Sequence, residues 1–274
     1  MNSLSILICS CDKYSFIWDL HFDFLRVNWN DCPYPIYLGT DSKSYKTHLT
    51  LFNNSNDRSW SSCLISWLSQ VETDYVLLTL DDFILQHQVR NSDILESLDF
   101  VIQENIDCLR LIVRPKPFDT HSKNSNFGKF NNFMPYLIAV QPSIWKKSSL
   151  LSLLRSGESI WEFEYNASKR AVSDGTFKLY GTYKTIFNYG LHIVDGGKLL
   201  RTSVINIPYK DYGITLPFVS IQDEIIIVLK RVFYFLINSC HVKLRIFILK
   251  ILSKSKKENK TVANKTNSIS EHTL

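Results

Sequence analysis

Apolar and polar residues follow one another along the chain in blocks that predict strands and helices in turn. Short apolar runs with few charges predict strands buried on both faces of a sheet. These runs are Ser3–Cys9, Ile36–Leu38, Thr73–Leu80, Cys108–Val113 and Met134–Val140. Other segments repeat apolar residues every three or four positions, which predicts amphipathic helices covering the sheet. These segments are Phe16–Trp29, a helix capped by Ser59, a helix starting at Asn91, and Ile144–Leu154. The alternation is typical of an α/β fold with a mostly parallel sheet.

One long segment, Arg114–Asn132, shows no periodicity. It is polar and contains Pro115, Pro117 and Gly128 together with several Lys, Asn and Ser residues. A structureless loop of this length inside a compact domain is usually functional or mobile. We therefore interpret it as a flap on the acceptor side of a site.

The C-terminal part changes character after residue 222. Its apolar runs, Ile225–Leu229, Val232–Ile237 and Ile246–Leu252, are interrupted by Lys and Arg. Each is far shorter than the roughly 20 residues needed to cross a bilayer. The pattern predicts basic amphipathic helices on an anionic membrane surface, with helices packed on the catalytic domain as the alternative. The predicted domains are 1–222 for catalysis, 223–257 for these helices and 258–274 as a disordered tail.

Composition narrows the class of protein. With 274 residues, 45% hydrophobic and 13% aromatic, the chain suits one sizeable domain with an appendage. The net charge of +5 is concentrated near the C-terminus, which argues against a nucleic-acid-binding domain. Six cysteines without regular spacing are typical of reduced core residues of a cytosolic protein. The N-terminus lacks the pattern of a signal peptide, so we expect a cytoplasmic protein.

Two adjacent carboxylates, Asp81 and Asp82, directly follow the most apolar strand. The carboxyl ends of strands in open α/β sheets are where ligands bind. Neighbouring carboxylates repel each other, and their burial is costly unless a positive group lies between them. A divalent metal carrying a diphosphate would remove both the repulsion between the carboxylates and the cost of burying them. The alternative is that an Asp here only caps the following helix.

Polar loops follow the first two strands and a later turn. Ser10 and Asp12 lie after the first strand and could contact a nucleotide, and Asp41, after the second, could contact its base or ribose. For Asp41, a local Asx turn is the alternative. Lys198 follows the turn Asp195-Gly-Gly and could lie over phosphates, although no P-loop motif surrounds it.

A second acidic segment contains Glu162 and Glu164 beside Trp161 and Phe163. Apolar neighbours can raise the pKa of a carboxylate towards that of a general base. The alternative is the solvated first turn of a helix, where the helix dipole favours Glu.

With these residues in view, the chain resembles, over residues 3–200, the GT-A glycosyltransferases (family 2-like) of bacterial surface-polysaccharide biosynthesis. The resemblance implies a GT-A (Rossmann-like) sheet with a nucleotide-sugar over the carboxyl ends of its first strands. It also implies Mn²⁺ or Mg²⁺ held against the diphosphate by Asp82 and Asp81, which match the end of the family's DxD motif. Thr79 and Phe83 break the strict spacing of that motif.

The resemblance further implies an acidic general base in the segment Trp161–Glu164. Of its two carboxylates we favour Glu164 over Glu162, because Glu164 is followed by the polar residues Tyr165–Ser168. Lys198 would neutralise the leaving diphosphate. The implied function is transfer of a sugar from a nucleotide-sugar to a lipid-linked or growing surface glycan, with inversion. Such an enzyme would work in the cytoplasm, peripherally on the inner face of the cell membrane.

Two alternatives stay open. A nucleotidyltransferase would attack an α-phosphate, but the loop Ser10–Tyr14 lacks the Gly-rich sequence usual in such enzymes. A non-catalytic protein that binds membranes or glycans would use the Asp pair only as a helix cap.

Overall fold

The computed structural model describes residues 4–46, 49–131, 137–189 and 192–239. The strands are β1 (Leu4–Cys9), β2 (Ile36–Thr40), β3 (Leu49–Phe52), β4 (Tyr75–Leu80), β5 (Cys108–Arg110), β6 (Asp119–Thr120), β7 (Phe127–Lys129), β8 (Ser143–Lys146), β9 (Leu179–Thr182), β10 (Val194–Asp195) and β11 (Lys198–Leu199). The helices are α1 (Trp18–Asn28), α2 (Trp60–Gln70), α3 (Asn91–Gln103), α4 (Lys147–Leu153), α5 (Ile160–Asp174), α6 (Arg201–Val204) and α7 (Ile221–Ser239). Short 3₁₀ helices cover Asp12–Ile17 and Tyr209–Tyr212.

A 9-stranded sheet forms the centre, in the order β3-β2-β1-β4-β8-β5-β9-β7-β6. Strands β3, β2, β1 and β4 run parallel, and so do β5 and β9. Strand β8 lies antiparallel between β4 and β5. The prediction of a mostly parallel sheet flanked by helices is therefore confirmed. Strands β10 and β11 form a separate antiparallel hairpin.

Strand β1 shows why helices cover both faces of the sheet. Its alternate residues Ile6 and Ile8 pack into a core with residues of α1 and α3. Leu7 and Cys9 pack into a second core with residues of α2, α4 and α5. All four side chains are buried, so a continuous apolar run, without alternation, is what this strand requires.

Helix α2 is fixed to the end of β2. The Ser59 side chain caps the helix by accepting a hydrogen bond from the backbone N of Ser62. Trp67 packs flat on Gly39, where an added Cβ would lie 2.5 Å from the indole. The indole N–H of Trp67 donates to the Thr40 carbonyl at 3.1 Å. The position of the loop that follows β2 therefore depends on this glycine.

Two predicted elements around residue 140 are wrong. The predicted strand Met134–Val140 is no strand in residues 137–140, its described part. The predicted helix Ile144–Leu154 is replaced by β8 followed by the shorter α4. Ile144 and Trp145 instead pair with strands on both sides. Their apolar character suits a buried strand and a buried helix equally, and pairing between distant segments decides between them.

The segment Arg114–Asn132 is not structureless. It contains β6 and β7, which pair with each other, and β7 extends the sheet by pairing with β9. Phe127 anchors it, because its buried ring stacks on Phe100 with centroids 4.3 Å apart. Strand β3 was also not predicted. Its exposed Leu49 and Phe52 mark a sheet edge rather than a buried run.

The predicted C-terminal tail is described only as far as residue 239. Helix α7 coincides with the first two predicted apolar runs. The run Ile246–Leu252 and the predicted disordered tail 258–274 lie outside the described residues. The domain boundaries remain a prediction.

Candidate active site

The end of β4 lies beside the end of β1, which brings Ser10 and Asp81 together. Cys9 and Leu80 are aligned in register, so the next residues leave the sheet side by side. The Ser10 hydroxyl donates a hydrogen bond to the Asp81 carboxylate. The Trp18 indole N–H in turn donates to the Ser10 hydroxyl oxygen at 2.7 Å. This chain of two hydrogen bonds fixes the orientation of one Asp81 oxygen.

Asp81 is buried, and its surroundings offer little compensation for a charge. Burial raises the pKa of the Asp81 carboxyl to about 7, against the opposing effect of the Ser10 hydrogen bond. His21 lies underneath, with Nδ1 2.8 Å from the Asp81 carbonyl oxygen. Burial lowers the pKa of His21 to about 4, so the imidazole is neutral near pH 7 and brings no positive charge.

Asp82 extends the acidic cluster. Burial, then the charges of Asp81 and Asp195, raise the pKa of the Asp82 carboxyl well above its ordinary value. The backbone carbonyl of Asp82 accepts a hydrogen bond from Ile193 N at 3.2 Å, which holds the β10–β11 hairpin beside it. Within that hairpin Lys198 lies directly opposite Asp195. The predicted phosphate-binding lysine is therefore on the element that adjoins the Asp pair.

Asp81 and Asp82 have the chemistry of metal ligands. Two neighbouring carboxylates that take further ligands from substrate phosphates and water fit the usual environment of Mg²⁺ in proteins. None of the described contacts of Asp81 and Asp82 brings a positive charge to these carboxylates, so a bound cation would offset the cost of burying them. Within the described part of the chain, no group of three or more His, Cys, Asp or Glu side chains is arranged to hold a metal ion.

Asp12 and Asp41 join the loops after β1 and β2. The Asp12 carboxylate accepts hydrogen bonds from the backbone N of Ser42 and of Lys43, both at 3.0 Å. The Asp41 carboxylate accepts one from the backbone N of Asp12 at 3.0 Å and lies 3.8 Å from the Arg58 guanidinium. Both Asp side chains thus hold the loops that a nucleotide would contact, and a direct donor contact remains a prediction.

Glu162 and Glu164 occupy different environments. Glu162 completes a capping box at the start of α5: its carboxylate accepts from Ser159 N at 2.8 Å. This is the helix-start alternative described above. Glu164 is half-buried and accepts from Val140 N at 2.7 Å. Burial raises the pKa of the Glu164 carboxyl, whereas the Val140 hydrogen bond and the charge of Arg110 lower it in part. Of the two carboxyl groups, burial raises the pKa of Glu164, whereas the hydrogen bonds with Ser159 lower the pKa of Glu162.

The neighbours of this helix start also differ from expectation. Phe163 is fully buried, but Trp161 is 68% exposed and anchors nothing in the described core. Glu164 adjoins Arg110, on the face of the sheet that α5 covers. Asp81 contacts Ser10, which follows β1, and His21 of α1, and α1 covers the other face of the sheet. None of the described contacts joins Glu164 to the Asp pair.

Arg110, at the end of β5, is not among the residues that the sequence predicted for the site. It is only 2% exposed. Its guanidinium donates to the carbonyl oxygens of Leu137 at 3.0 Å and Arg114 at 3.2 Å, and it lies 4.8 Å from the centroid of the Phe130 ring. Arg110 is the single charged residue inside the apolar run Cys108–Val113. Because Arg is almost never buried without a partner, its position in a predicted buried strand could have indicated a partnered, buried charge.

No family model and no curated protein matches the sequence. Among solved structures, residues 1–349 of S. aureus TarS match with 10% identity and a TM-score of 0.43, over 66% of this chain and 60% of that chain. The same protein in complex with UDP-GlcNAc matches with a TM-score of 0.41. The chain thus spans less than two thirds of these TarS chains.

Two further matches cover most of their own chains. A putative nucleotide-diphospho-sugar transferase from Desulfovibrio desulfuricans G20 has 9% identity and a TM-score of 0.41, over 77% of this chain and 94% of that chain. A nucleotidyl transferase from Methanothermobacter thermautotroptrophicus has 12% identity and a TM-score of 0.42, over 69% and 94%. These likenesses are weak in sequence and in shape, so the reaction has to be inferred from this chain's own residues.

Proposed function

We propose that the protein is a glycosyltransferase that moves a sugar from a nucleotide-sugar donor to an acceptor hydroxyl. The observation that carries this proposal is the adjacent pair of Asp81, which is buried, and Asp82, which is half-buried, at the carboxyl edge of a mostly parallel sheet. Burial raises the pKa of both side chains, and none of their described contacts brings a positive charge. A cation carrying a diphosphate would remove this unfavourable state.

The donor would lie over the ends of β1, β2 and β4. Asp82 and Asp81 would hold Mg²⁺ or Mn²⁺, which when bound neutralises charge on the diphosphate. Ser10 keeps Asp81 in a fixed orientation. Lys198, on the hairpin beside Asp82, would bind the leaving diphosphate through its ammonium group, a form of electrostatic stabilisation that acts where negative charge develops.

Glu164 would act as the general base. Its Oε1 is held by the backbone N of Val140, which leaves Oε2 for the acceptor. Glu164 takes the proton of the acceptor hydroxyl while that oxygen attacks the anomeric carbon and the bond from this carbon to the diphosphate oxygen breaks. This single displacement inverts the anomeric configuration. The nearby charge of Arg110 favours the ionised carboxylate that the reaction requires.

For the acceptor we propose a lipid-linked or growing surface glycan, with the enzyme working in the cytoplasm, peripherally on the inner face of the cell membrane. The exposed apolar side of α7 supports a membrane location. We do not expect the protein to bind nucleic acid.

The first test is a thermal-shift screen of the purified protein with UDP-, GDP-, CMP- and dTDP-linked sugars, with and without Mn²⁺. A donor at about 100 times its dissociation constant adds roughly 2.7 kcal/mol of stability. For a chain of this size that is a shift of about 5–10 °C. A shift with one nucleotide class, larger with Mn²⁺, is expected. The absence of a shift with every donor would refute the proposal.

Substitutions then separate donor binding from chemistry. Glu164→Gln should lower turnover by about 10²- to 10⁴-fold and leave the donor-induced shift intact, whereas Asp82→Asn should lose both. Glu162→Gln is the matched variant on the same helix. Loss of turnover in Glu162→Gln, with normal turnover in Glu164→Gln, would move the role of base to Glu162. Release of pyrophosphate from a nucleoside triphosphate and a sugar phosphate would instead identify nucleotidyl transfer.

A further inference from the structure

Helix α7 presents a continuous apolar side to solvent. Seven of its large apolar residues are between 44% and 67% exposed. They are Ile221, Ile225, Ile226, Leu229, Val232, Phe233 and Leu236. Their spacing of mostly three or four residues places them on one side of the helix, which we call the α7 stripe. Single exposed apolar residues are ordinary, but a contiguous exposed patch marks an interaction surface.

The first turn of α7 is well fixed, so the exposure of the stripe does not come from a loosely attached helix. The Ser220 hydroxyl oxygen accepts a hydrogen bond from Asp223 N at 3.1 Å. Glu224 is buried, and its carboxylate accepts from Thr202 N at 2.7 Å and from the Arg201 guanidinium at 3.1 Å. These contacts bind the helix start to α6. Among the helices that the structure describes, none is both long and apolar enough to cross a membrane.

We infer that the α7 stripe is a docking surface for an anionic lipid bilayer. Charge decides the occupant. The exposed Lys230 lies within α7, and the following chain carries a strong excess of basic residues over Glu258 and Glu271. These basic residues are Lys243, Arg245, Lys250, Lys254, Lys256, Lys257, Lys260 and Lys265.

An apolar stripe followed in the sequence by basic residues is the combination that binds anionic membrane surfaces, where each Lys or Arg near the surface adds about 1 kcal/mol. A second copy of the chain on the stripe would instead bring together two helices that each carry an exposed Lys230, which like-charge repulsion opposes. The bilayer is therefore the better occupant. This inference names the membrane partner of the proposed function, but its evidence lies in α7 and not in the catalytic residues.

Cosedimentation of the full chain with lipid vesicles tests the inference. We expect binding to phosphatidylcholine vesicles that contain phosphatidylglycerol, weaker binding to phosphatidylcholine alone, and a decrease with added salt. The double variant Leu229→Gln/Phe233→Gln should bind the anionic vesicles at least tenfold more weakly, which is about 1.4 kcal/mol. The control Val27→Gln/Ile205→Gln replaces two apolar residues elsewhere that are more exposed than Leu229 and Phe233 and should bind like the unchanged protein.

Three results would overturn the inference. They are no binding to anionic vesicles, equal binding by the α7 double variant, or a dimer in size-exclusion chromatography that the α7 double variant dissociates while vesicles are not bound. The donor-induced thermal shift is measured on the same samples. An intact shift without vesicle binding refutes the membrane surface alone, and vesicle binding without any donor shift refutes the proposed function alone.

Discussion

Replacing Asp81 by Asn should stabilise the free protein at alkaline pH. Burial raises the pKa of Asp81 from 3.8 to about 7 in the folded protein. Each pKa unit corresponds to about 1.36 kcal/mol, so the shift is worth at most about 4 kcal/mol. Because the folded state binds this proton more tightly than the unfolded state, the contribution to stability is complete below about pH 4. It is lost as the pH rises to about 7. An Asn side chain accepts the Ser10 hydrogen bond without a charge and avoids this loss.

Urea denaturation at about pH 5 and about pH 8 measures the effect. The free energy of unfolding of Asp81→Asn should exceed that of the unchanged protein by up to about 4 kcal/mol at the higher pH and by much less at the lower pH. The charge of Asp81 also raises the pKa of Asp82, so the difference between the two proteins reports the burial of the Asp81 charge together with its repulsion of Asp82. Asp99→Asn, at an exposed position of α3, is the control and should show no such gain. Equal or lower stability of Asp81→Asn at the higher pH would refute the reasoning.

Three further outcomes are expected. Gly39→Ala should lower the free energy of unfolding by about 1–3 kcal/mol, since its methyl group would meet the Trp67 indole; an unchanged urea midpoint would contradict this packing. Arg110→Gln should move the acidic limb of the turnover–pH profile to higher pH, because the guanidinium lowers the pKa of Glu164. Arg110→Lys should move the limb less, and an unmoved limb would show that Glu164 is not the titrating base. Lys198→Ala should weaken binding of the diphosphate donor roughly tenfold, about 1.4 kcal/mol, with unchanged affinity for the nucleoside alone; calorimetry with both ligands decides.

The sequence predicted those elements whose pattern is local. Strands β1 and β4 are uninterrupted apolar runs because helices cover both faces, and such runs have few other interpretations. The Ser59 cap and the apolar periodicity after it predict helix α2. The placement of Ser10 and Asp81 at one edge of the sheet follows from two parallel strands that both end there, although the hydrogen bond between them was not predicted. In each case the residues that determine the element are close in sequence, or their placement is common to all parallel α/β sheets.

Other features depend on contacts between distant segments, which no local pattern contains. Ile144 and Trp145 form a strand because β4 and β5 lie on either side of them. Asp12 has the residue type of a ligand contact, yet the backbone of the loop after β2 occupies its carboxylate. Glu162 and Glu164 look alike in sequence, but the exposed Glu162 caps the start of α5, whereas Glu164 is half-buried and accepts a hydrogen bond from the distant Val140 N.

The reversed direction of β8 has a topological consequence for the diversification of this fold. Ser143, where β8 begins, pairs with Leu78 near the carboxyl end of β4, so the residues that enter β8 arrive at the edge from which β4 and β5 exit. A parallel strand in this place would have delivered its entering residues to the opposite edge. The backbone groups of Leu137 and Val140, which hold Arg110 and Glu164, reach their positions in this way. Insertions or deletions in the connection between β5 and β8 can therefore reshape the rim of the site while the order of the strands stays the same.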